Sequence, residues 1–129
     1  MDLKVVDFLI KFPPKKEVNG RVVHLIHAHR PCGMTNLFVI AGEHHMYEPD
    51  GTLREVRPVG SNTVSPSGDV HTECGGPEGG VVHSSVDGSG VLFEFVDDKM
   101  QVLGGLTLAH FGGPRCGMWG VSRSWPLIG

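Results

Sequence analysis

Short apolar or alternating runs, each ended by Gly, Pro, Asn or Asp, recur along most of the chain. None keeps apolar residues at helical spacing over the length of a helix, whereas alternation with a period of two is typical of strands packed on a core. The pattern predicts strands at residues 5–12, 21–29, 36–42, 43–48, 52–58, 61–66, 80–86, 90–96 and 100–108. The EPDG and DGSG stretches between strands fit hairpin turns.

Length and composition favour one domain built from these strands. The chain has 129 residues, 19 of them Gly and 9 Pro, a density that suits many tight turns and disfavours a helical bundle. We expect an antiparallel sandwich or barrel over residues 1–111. Residues 112–129 are Gly- and Pro-rich yet contain Trp119 and Trp125, so this tail is either docked or flexible, and the sequence leaves that choice open.

Charge and cysteine content exclude several classes of protein. A formal net charge of -3 offers no basic surface for nucleic acid, and no apolar run approaches the length of a membrane span. The N-terminal stretch carries an acid at residue 2 and a lysine within its apolar part, which is atypical of a signal sequence. Three cysteines without framework spacing argue against a disulfide-stapled secreted domain. We expect a cytoplasmic protein without nucleic-acid or membrane partners.

Histidines concentrate in HLIHAH, at residues 24–29. In a strand, His27 and His29 share one face about 6 to 7 Å apart, and His24 points the other way. Two imidazoles on one face can supply part of a metal site. Further along, Pro66 and Gly68 form a turn signal that places His71 near the start of a new strand, where it could converge on the first two.

These residues resemble the two motifs of the cupins. The first cupin motif reads G-x5-H-x-H-x3,4-E-x6-G and is matched here at His27, His29 and Gly42, with Arg21 or Val22 in place of its leading glycine. The second reads G-x5-P-x-G-x2-H-x3-N. It is matched at positions that share its order and spacing, namely Gly60, Pro66, Gly68 and His71, with Gly75 in place of the asparagine. The resemblance implies an all-β fold, the double-stranded β-helix, which is a jelly-roll-like barrel.

The chain departs from the first motif at its acid. The glutamate ligand should fall at Thr35, and neither Thr35 nor its neighbours Met34 and Asn36 is acidic. The resemblance then implies a metal site of three histidines, His27, His29 and His71. The stretches VDFLIKFPP, VIAGEHHMYEPDG, SPSGDVHTE and GVLFEFVDD further resemble the cupin branch of acetylacetone-cleaving and dihydroxyacetophenone-type dioxygenases.

Three neutral ligands would leave a divalent ion its full charge, which favours a chelating monoanion such as the enolate of a β-diketone or hydroxyketone. Three facial ligands also leave room for this chelate and for O2. The resemblance therefore implies an Fe(II)-dependent dioxygenase that cleaves a C–C bond in such a small-molecule substrate. A non-oxidative Zn or Ni cupin, acting as Lewis acid or sensor, stays open as an alternative, as does a metal-free module in which the histidines only pack.

Other residues carry weaker expectations. Glu94 is a candidate hydrogen-bond partner for a ligand histidine, although an outward-facing charge is the simpler interpretation. His83 is expected to be an ordinary strand histidine. His44 and His45 are adjacent and so face opposite ways, which could turn one of them into the barrel, although surface placement is the expectation for both. Four apolar residues are candidates for the pocket lining: Leu37, Val39, Phe93 and Phe95. Exposed strand edges of small barrels are often paired with a second copy, so we expect a homodimer.

Overall fold

A computed structural model describes residues 5–23, 25–87, 91–107 and 127–128. Within these ranges all regular structure is β-strand, as predicted. The strands, in chain order, are β1 (Val5–Phe12), β2 (Glu17–Val18), β3 (Arg21–Val22), β4 (Leu25–Ile26), β5 (His29–Pro31), β6 (Thr35–Tyr47), β7 (Leu53–Pro58), β8 (Asn62–Ser65), β9 (Thr72–Asp87), β10 (Val91–Val96), β11 (Val102–Thr107) and β12 (Leu127–Ile128). No helix in the described ranges is long and apolar enough to span a membrane.

Two antiparallel sheets hold most of these strands. The larger has the order β1-β9-β6-β7, with β8 also paired to β6, and the smaller has the order β11-β10-β5. An isolated antiparallel bridge between His29 and His71 joins β5 to the residue that precedes β9. The bridge therefore ties the edge of the smaller sheet to the beginning of the longest strand of the larger one.

The core lies between the two sheets. Alternate residues of β1, β6 and β9 face the residues of β10, and Phe8 meets Phe93 edge-on with ring centroids 6.3 Å apart. The expected lining residues Leu37, Val39, Phe93 and Phe95 are all buried in this cluster. Burial of apolar side chains between sheets is the main force that stabilises such a fold.

The prediction of one continuous strand at residues 21–29 is wrong. The structure has three short strands there, β3, β4 and β5, separated by non-strand residues at 27 and 28 among others. The predicted strands at 36–42 and 43–48 are one long strand, β6, because its pairing with β9 runs on through two irregularities.

The two predicted hairpins have different outcomes. The EPDG turn connects β6 and β7, which pair antiparallel from Tyr47 opposite Leu53, as predicted. The DGSG turn lies partly outside the described residues, at 88–90. The strands that flank it are in different sheets, since β9 pairs with β1 and β6 while β10 pairs with β5 and β11. This connection therefore crosses between the sheets.

Glycines allow β6 and β9 to approach closely at their irregularity. Gly42 has a φ of +63°, and a Cβ there would lie 2.2 Å from the carbonyl oxygen of Gly79. A Cβ on Gly80 would lie 2.1 Å from the carbonyl oxygen of Glu43. The register shifts between Gly42 and His44, which reverses the alternation and turns His44 into the interior. Larger residues at these positions would separate the two strands.

The predicted tail at 112–129 lies outside the described residues except at 127–128. There, β12 pairs with β4, with Leu127 opposite Ile26 and Ile128 opposite Leu25. The division into a barrel at 1–111 and a tail stays a prediction.

Candidate metal centre

Three buried side chains converge where the two sheets meet. His29 from β5, His71 from the bridge and Glu73 from β9 each offer one ligand atom, and these atoms all lie within 4.8 Å of one another. His29 is fully buried, and His71 and Glu73 are each 4% exposed. Two imidazole nitrogens and one carboxylate oxygen in this arrangement form a donor set of the kind that binds a divalent transition metal.

Strand geometry explains why these residues meet. His71 and Glu73 are two apart on an extended segment, so their side chains point to the same face. The bridge sets His29 directly opposite His71, with ring centroids 4.6 Å apart. Main-chain hydrogen bonds of 2.9 and 3.0 Å between His29 and His71 fix this pairing.

The carboxylate of Glu73 is the centre of the group. Its Oε2 lies 2.6 Å from Nε2 of His29 and 3.1 Å from Nε2 of His71, and its Oε1 lies 2.6 Å from Nε2 of His44. Burial alone would raise the pKa of Glu73, but the hydrogen bonds from the three histidines outweigh it and hold that pKa well below its usual range. Glu73 is therefore ionised.

His71 lies between two carboxylates. Its Nδ1 donates to Oδ2 of Asp69 at 3.2 Å, and its Nε2 faces Glu73. Burial opposes protonation, yet the hydrogen bonds to Asp69 and Glu73 prevail and raise the pKa of His71 to about 9. In the absence of a metal, His71 is thus a cation that partly balances the two acids.

His29 has acceptors on both sides. Its Nδ1 donates to the carbonyl oxygen of His27 at 2.8 Å, while its Nε2 faces Oε2 of Glu73. Burial is the largest influence and, with the charge of His71, lowers the pKa of His29 despite the hydrogen bond to Glu73. A neutral imidazole has only one N–H, so it cannot donate to both the carbonyl oxygen and Glu73, and one of its nitrogens would face an oxygen with lone pair against lone pair. A cation bound by both Nε2 and Oε2 removes this repulsion while Nδ1 donates to the carbonyl, and the residues therefore fit a metal ion.

A small cavity of about 10 Å³ adjoins the group. It is lined by Ile10, Pro31, Thr35, Leu37, Ser65, His71, Glu73, Ser84 and Phe93. The hydroxyl of Ser84 is buried and has no hydrogen-bond partner among the described residues. This space corresponds to roughly one water molecule beside two of the donor residues.

The structure brings together two of the three predicted histidines, His29 and His71. His27 does not join them: its Nε2 donates to the carbonyl oxygen of Val96 at 3.1 Å. The reason is local, since residues 27 and 28 belong to no strand and the expected two-residue alternation is interrupted there. His27 as a metal ligand stays a prediction.

Glu94 and His83 are placed away from the group. Glu94 accepts a hydrogen bond from Nε of Arg30 at 3.0 Å, between the buried side chains of Phe93 and Phe95 that point to the opposite face. Nε2 of His83 lies 3.4 Å from Oδ1 of Asp7, with 42% of its side chain exposed. His24 and His110 lie outside the described residues.

The expectation that His44 and His45 are at the surface is wrong. His44 is fully buried and stacks on Phe12, with ring centroids 5.0 Å apart, while His45 is 5% exposed and bonds to Glu43 at 2.8 Å. Both faces of β6 are covered at this end, because a second apolar cluster of Leu25, Tyr47 and Cys74, with Val22, packs there.

Glu73 is the residue that sequence reasoning missed. The cupin motif has its acid at the position of Thr35, which is not acidic in this chain. The signal was present in VHTE, since His71 and Glu73 are two apart at the predicted start of a strand and therefore share one of its faces. Thr35 and Glu73 line the same small cavity. A carboxylate is therefore present beside Thr35, but it is supplied by the neighbouring strand β9 and not by β6.

Comparison with known proteins gives matches among solved structures alone. No family model matches the chain, and no curated protein matches it. An uncharacterised protein with a double-stranded β-helix domain from Klebsiella pneumoniae superposes with a TM-score of 0.55 at 20% identity, covering 73% of this chain and 76% of that one. An acetylacetone dioxygenase from Acinetobacter johnsonii gives 0.58 at 16% identity, covering 84% and 66%.

A protein of unknown function with a cupin-like fold from Ralstonia eutropha gives a TM-score of 0.54 at 16% identity, covering 80% of this chain and 56% of that one. The chain thus spans about two thirds of the dioxygenase and about half of the Ralstonia protein. At these identities the likeness concerns the fold. The protein has the cupin fold, an all-β double-stranded β-helix, with a possible metal site at His29, His71 and Glu73.

Proposed function

We propose that this protein is a metal-dependent enzyme in which His29, His71 and Glu73 hold one divalent cation. The supporting observation is the pair of acceptors around His29: Nδ1 donates to a carbonyl, and Nε2 faces Oε2 of Glu73 at 2.6 Å in a fully buried place. Binding of a cation by Nε2 and Oε2 satisfies both atoms, whereas a metal-free site would have to bury a second imidazolium.

We propose Fe(II) as the native metal and oxidative C–C cleavage as the reaction. Two histidines and one carboxylate with open positions are the donor set of many non-haem Fe(II) oxygenases. Bound Fe(II) would supply Lewis acidity toward an oxygen chelate and redox chemistry with O2. The substrate class is a β-diketone or hydroxyketone. Both atoms of O2 would be incorporated into the two products of C–C cleavage, so that no external reductant is needed.

The protein's own residues would tune this site in two ways. Glu73 reduces the net charge of a bound divalent ion from +2 to +1, so a substrate monoanion would produce a neutral centre rather than a cationic one. Leu37 and Phe93 supply apolar walls beside the donors, which strengthens electrostatic interactions within the site. The chain thereby departs from the three-histidine charge balance expected from sequence.

A non-oxidative zinc enzyme is the second candidate, and the small cavity favours it. Zinc in catalytic sites commonly takes three protein ligands, including the His2Glu set, and one water. The space beside His71 and Glu73 is about 10 Å³, which suits one water. A chelating diketone would require movement of the lining side chains.

Oxygen uptake distinguishes the two candidates. Protein loaded anaerobically with Fe(II) would be mixed with a panel of β-diketones and α-hydroxyketones in aerated buffer, with His29→Ala as control. The proposal predicts substrate-dependent O2 consumption that is lost in the variant. Iron-containing protein that consumes no O2 with any member would contradict the dioxygenase assignment and favour the zinc enzyme.

We also propose a homodimer. The outer face of β6 and β8 exposes Phe38, Ile40 and Val64, at 42%, 46% and 52%. Neighbouring exposed apolar side chains on a sheet are typical of surfaces that a second chain covers. Light scattering should give twice the chain mass of 13.9 kDa at micromolar concentration, and a monomer mass would contradict the proposal.

A further inference from the structure

A chain of charged side chains leads from the surface to the metal centre. Arg54 of β7 donates from Nε and Nη2 to the two oxygens of Glu48, at 2.8 and 2.9 Å. The same guanidinium donates from Nη1 to Oδ2 of Asp69 at 2.8 Å and from Nη2 to the carbonyl oxygen of Val70 at 3.0 Å. Four hydrogen bonds thus fix Arg54 against the segment that carries His71.

Asp69 is the link between Arg54 and the centre. Its Oδ2 accepts from Nη1 of Arg54 and from Nδ1 of His71, at 2.8 and 3.2 Å. One oxygen therefore aligns both groups. Asp69 follows the turn after Pro66, since its N–H donates to the Pro66 carbonyl, and this places its carboxylate beside the ring of His71. An acceptor at Nδ1 keeps the proton there and leaves Nε2 as the ligand atom.

We propose that Arg54 and Asp69 are positioning residues, which fix the ring orientation and tautomer of His71 for metal binding. The inference rests on the proposed metal function and deepens it. Glu48 is the first residue of the EPDG turn and Arg54 follows the turn in β7, so the β6–β7 hairpin is bound to the metal-ligand segment through the contact of Arg54 with Asp69. The turn that sequence predicted thereby acquires a role at the centre.

A surface salt bridge without such a role is the alternative that the test must exclude. The side chains of Arg54 and Glu48 are 26% and 45% exposed. Exposed ion pairs contribute only about 0 to 1 kcal/mol to stability. A structural role alone therefore predicts a small change in stability and unchanged metal binding, whereas a positioning role predicts weaker metal binding and an altered spectrum of the bound ion.

Cobalt binding separates these outcomes, since Co(II) is a coloured probe of nitrogen and oxygen ligands. We would measure the Kd for Co(II) and the visible spectrum of the bound ion for four variants: Asp69→Ala, Asp69→Asn, Arg54→Gln and Arg30→Gln. Arg30 is a matched control, because it pairs with Glu94 at 3.0 Å with 31% of its side chain exposed.

Asp69→Ala should raise Kd by about 10- to 100-fold, as is usual when the partner of a ligand histidine is lost, and should change the Co(II) spectrum. Asp69→Asn, which keeps an acceptor oxygen, should bind Co(II) more tightly than Asp69→Ala does. The Kd of Arg54→Gln should lie between the values for Asp69→Ala and the parent. Arg30→Gln should bind as the parent does.

Two results would overturn the proposal, and they differ from each other. If both Asp69→Ala and Arg54→Gln have the Kd and the spectrum of the parent, the contacts of Arg54 and Asp69 are a surface salt bridge that does not affect the metal site. Failure of the parent protein itself to bind Co(II) would contradict the metal site and this inference together. Circular dichroism of each variant would show whether it is folded. If Asp69→Ala does not fold, Arg54→Gln still tests the proposal.

Discussion

Two segments of the chain supply histidines to the candidate site, and side-chain alternation holds in one and fails in the other. The segment at 71–73 forms the bridge and enters β9, which pairs with β6 over most of its length, so His71 and Glu73 point the same way. The segment at 25–31 is divided between β4 and β5, and only His29 reaches the centre. Alternation therefore predicts side-chain direction where strand pairing is continuous, and fails where the strand is interrupted.

The largest effect on stability should come from a substitution that separates β6 from β9. Gly42→Ala would place a Cβ 2.2 Å from the Gly79 carbonyl at a φ of +63°, and should reduce the free energy of unfolding by about 3 kcal/mol. Gly51→Ala is the matched control, since Gly51 has a φ of +91° with nothing within 4 Å and should cost only about 1 kcal/mol. Urea denaturation measures both, and equal losses would contradict the close approach of β6 and β9.

Metal removal should come next in size. If the centre holds the two segments together through His29 and His71, a metal at one hundred times its Kd should stabilise the protein by about 2.7 kcal/mol. Thermal unfolding with added Fe(II) under anaerobic conditions, and again with chelator, measures this difference, and His29→Ala should show none. If the melting temperature of the parent does not change with metal or chelator, the result would favour the metal-free module in which the histidines only pack.

A smaller effect is expected at His44, which supports Glu73 from β6. His44→Phe keeps the stacking on Phe12 but removes the donor at 2.6 Å from Oε1 of Glu73, and should weaken metal binding by about 10-fold. His45→Phe is the control, because His45 is also buried, at 5% exposed, but bonds to Glu43 and not to Glu73. Calorimetric titration of both variants measures the effect, and equal Kd values would show that contact with Glu73 is immaterial.

Most of the fold was predictable from sequence because turn residues and alternation report local preferences. The all-β class, the EPDG hairpin and the buried pocket candidates of β6 and β10 followed from such signals. What failed depended on pairing with distant strands: the break after Ile26, the shift at Gly42 and the crossing between sheets after β9. Each is decided by which strands become neighbours, and a single sequence carries no direct signal of that.

The candidate site was predictable in part for the same reason. His29 and His71 followed from the motifs and their spacing. Glu73 was not predicted because the cupin motif has its acid at the position of Thr35, although the two-residue spacing of Glu73 from His71 already indicates a shared face. The inward direction of His44 depends on the irregularity at Gly42, which changes the alternation along β6.

The iron content of Glu73→Gln beside that of His27→Gln distinguishes the two possible ligand sets directly. Both proteins would be loaded anaerobically with Fe(II), desalted and analysed for bound metal together with the parent. If His29, His71 and Glu73 hold the metal, we expect near-stoichiometric iron in the parent and in His27→Gln, and loss of iron in Glu73→Gln. Iron retained in Glu73→Gln but lost in His27→Gln would contradict this ligand set, and would restore the three-histidine site that the sequence predicts.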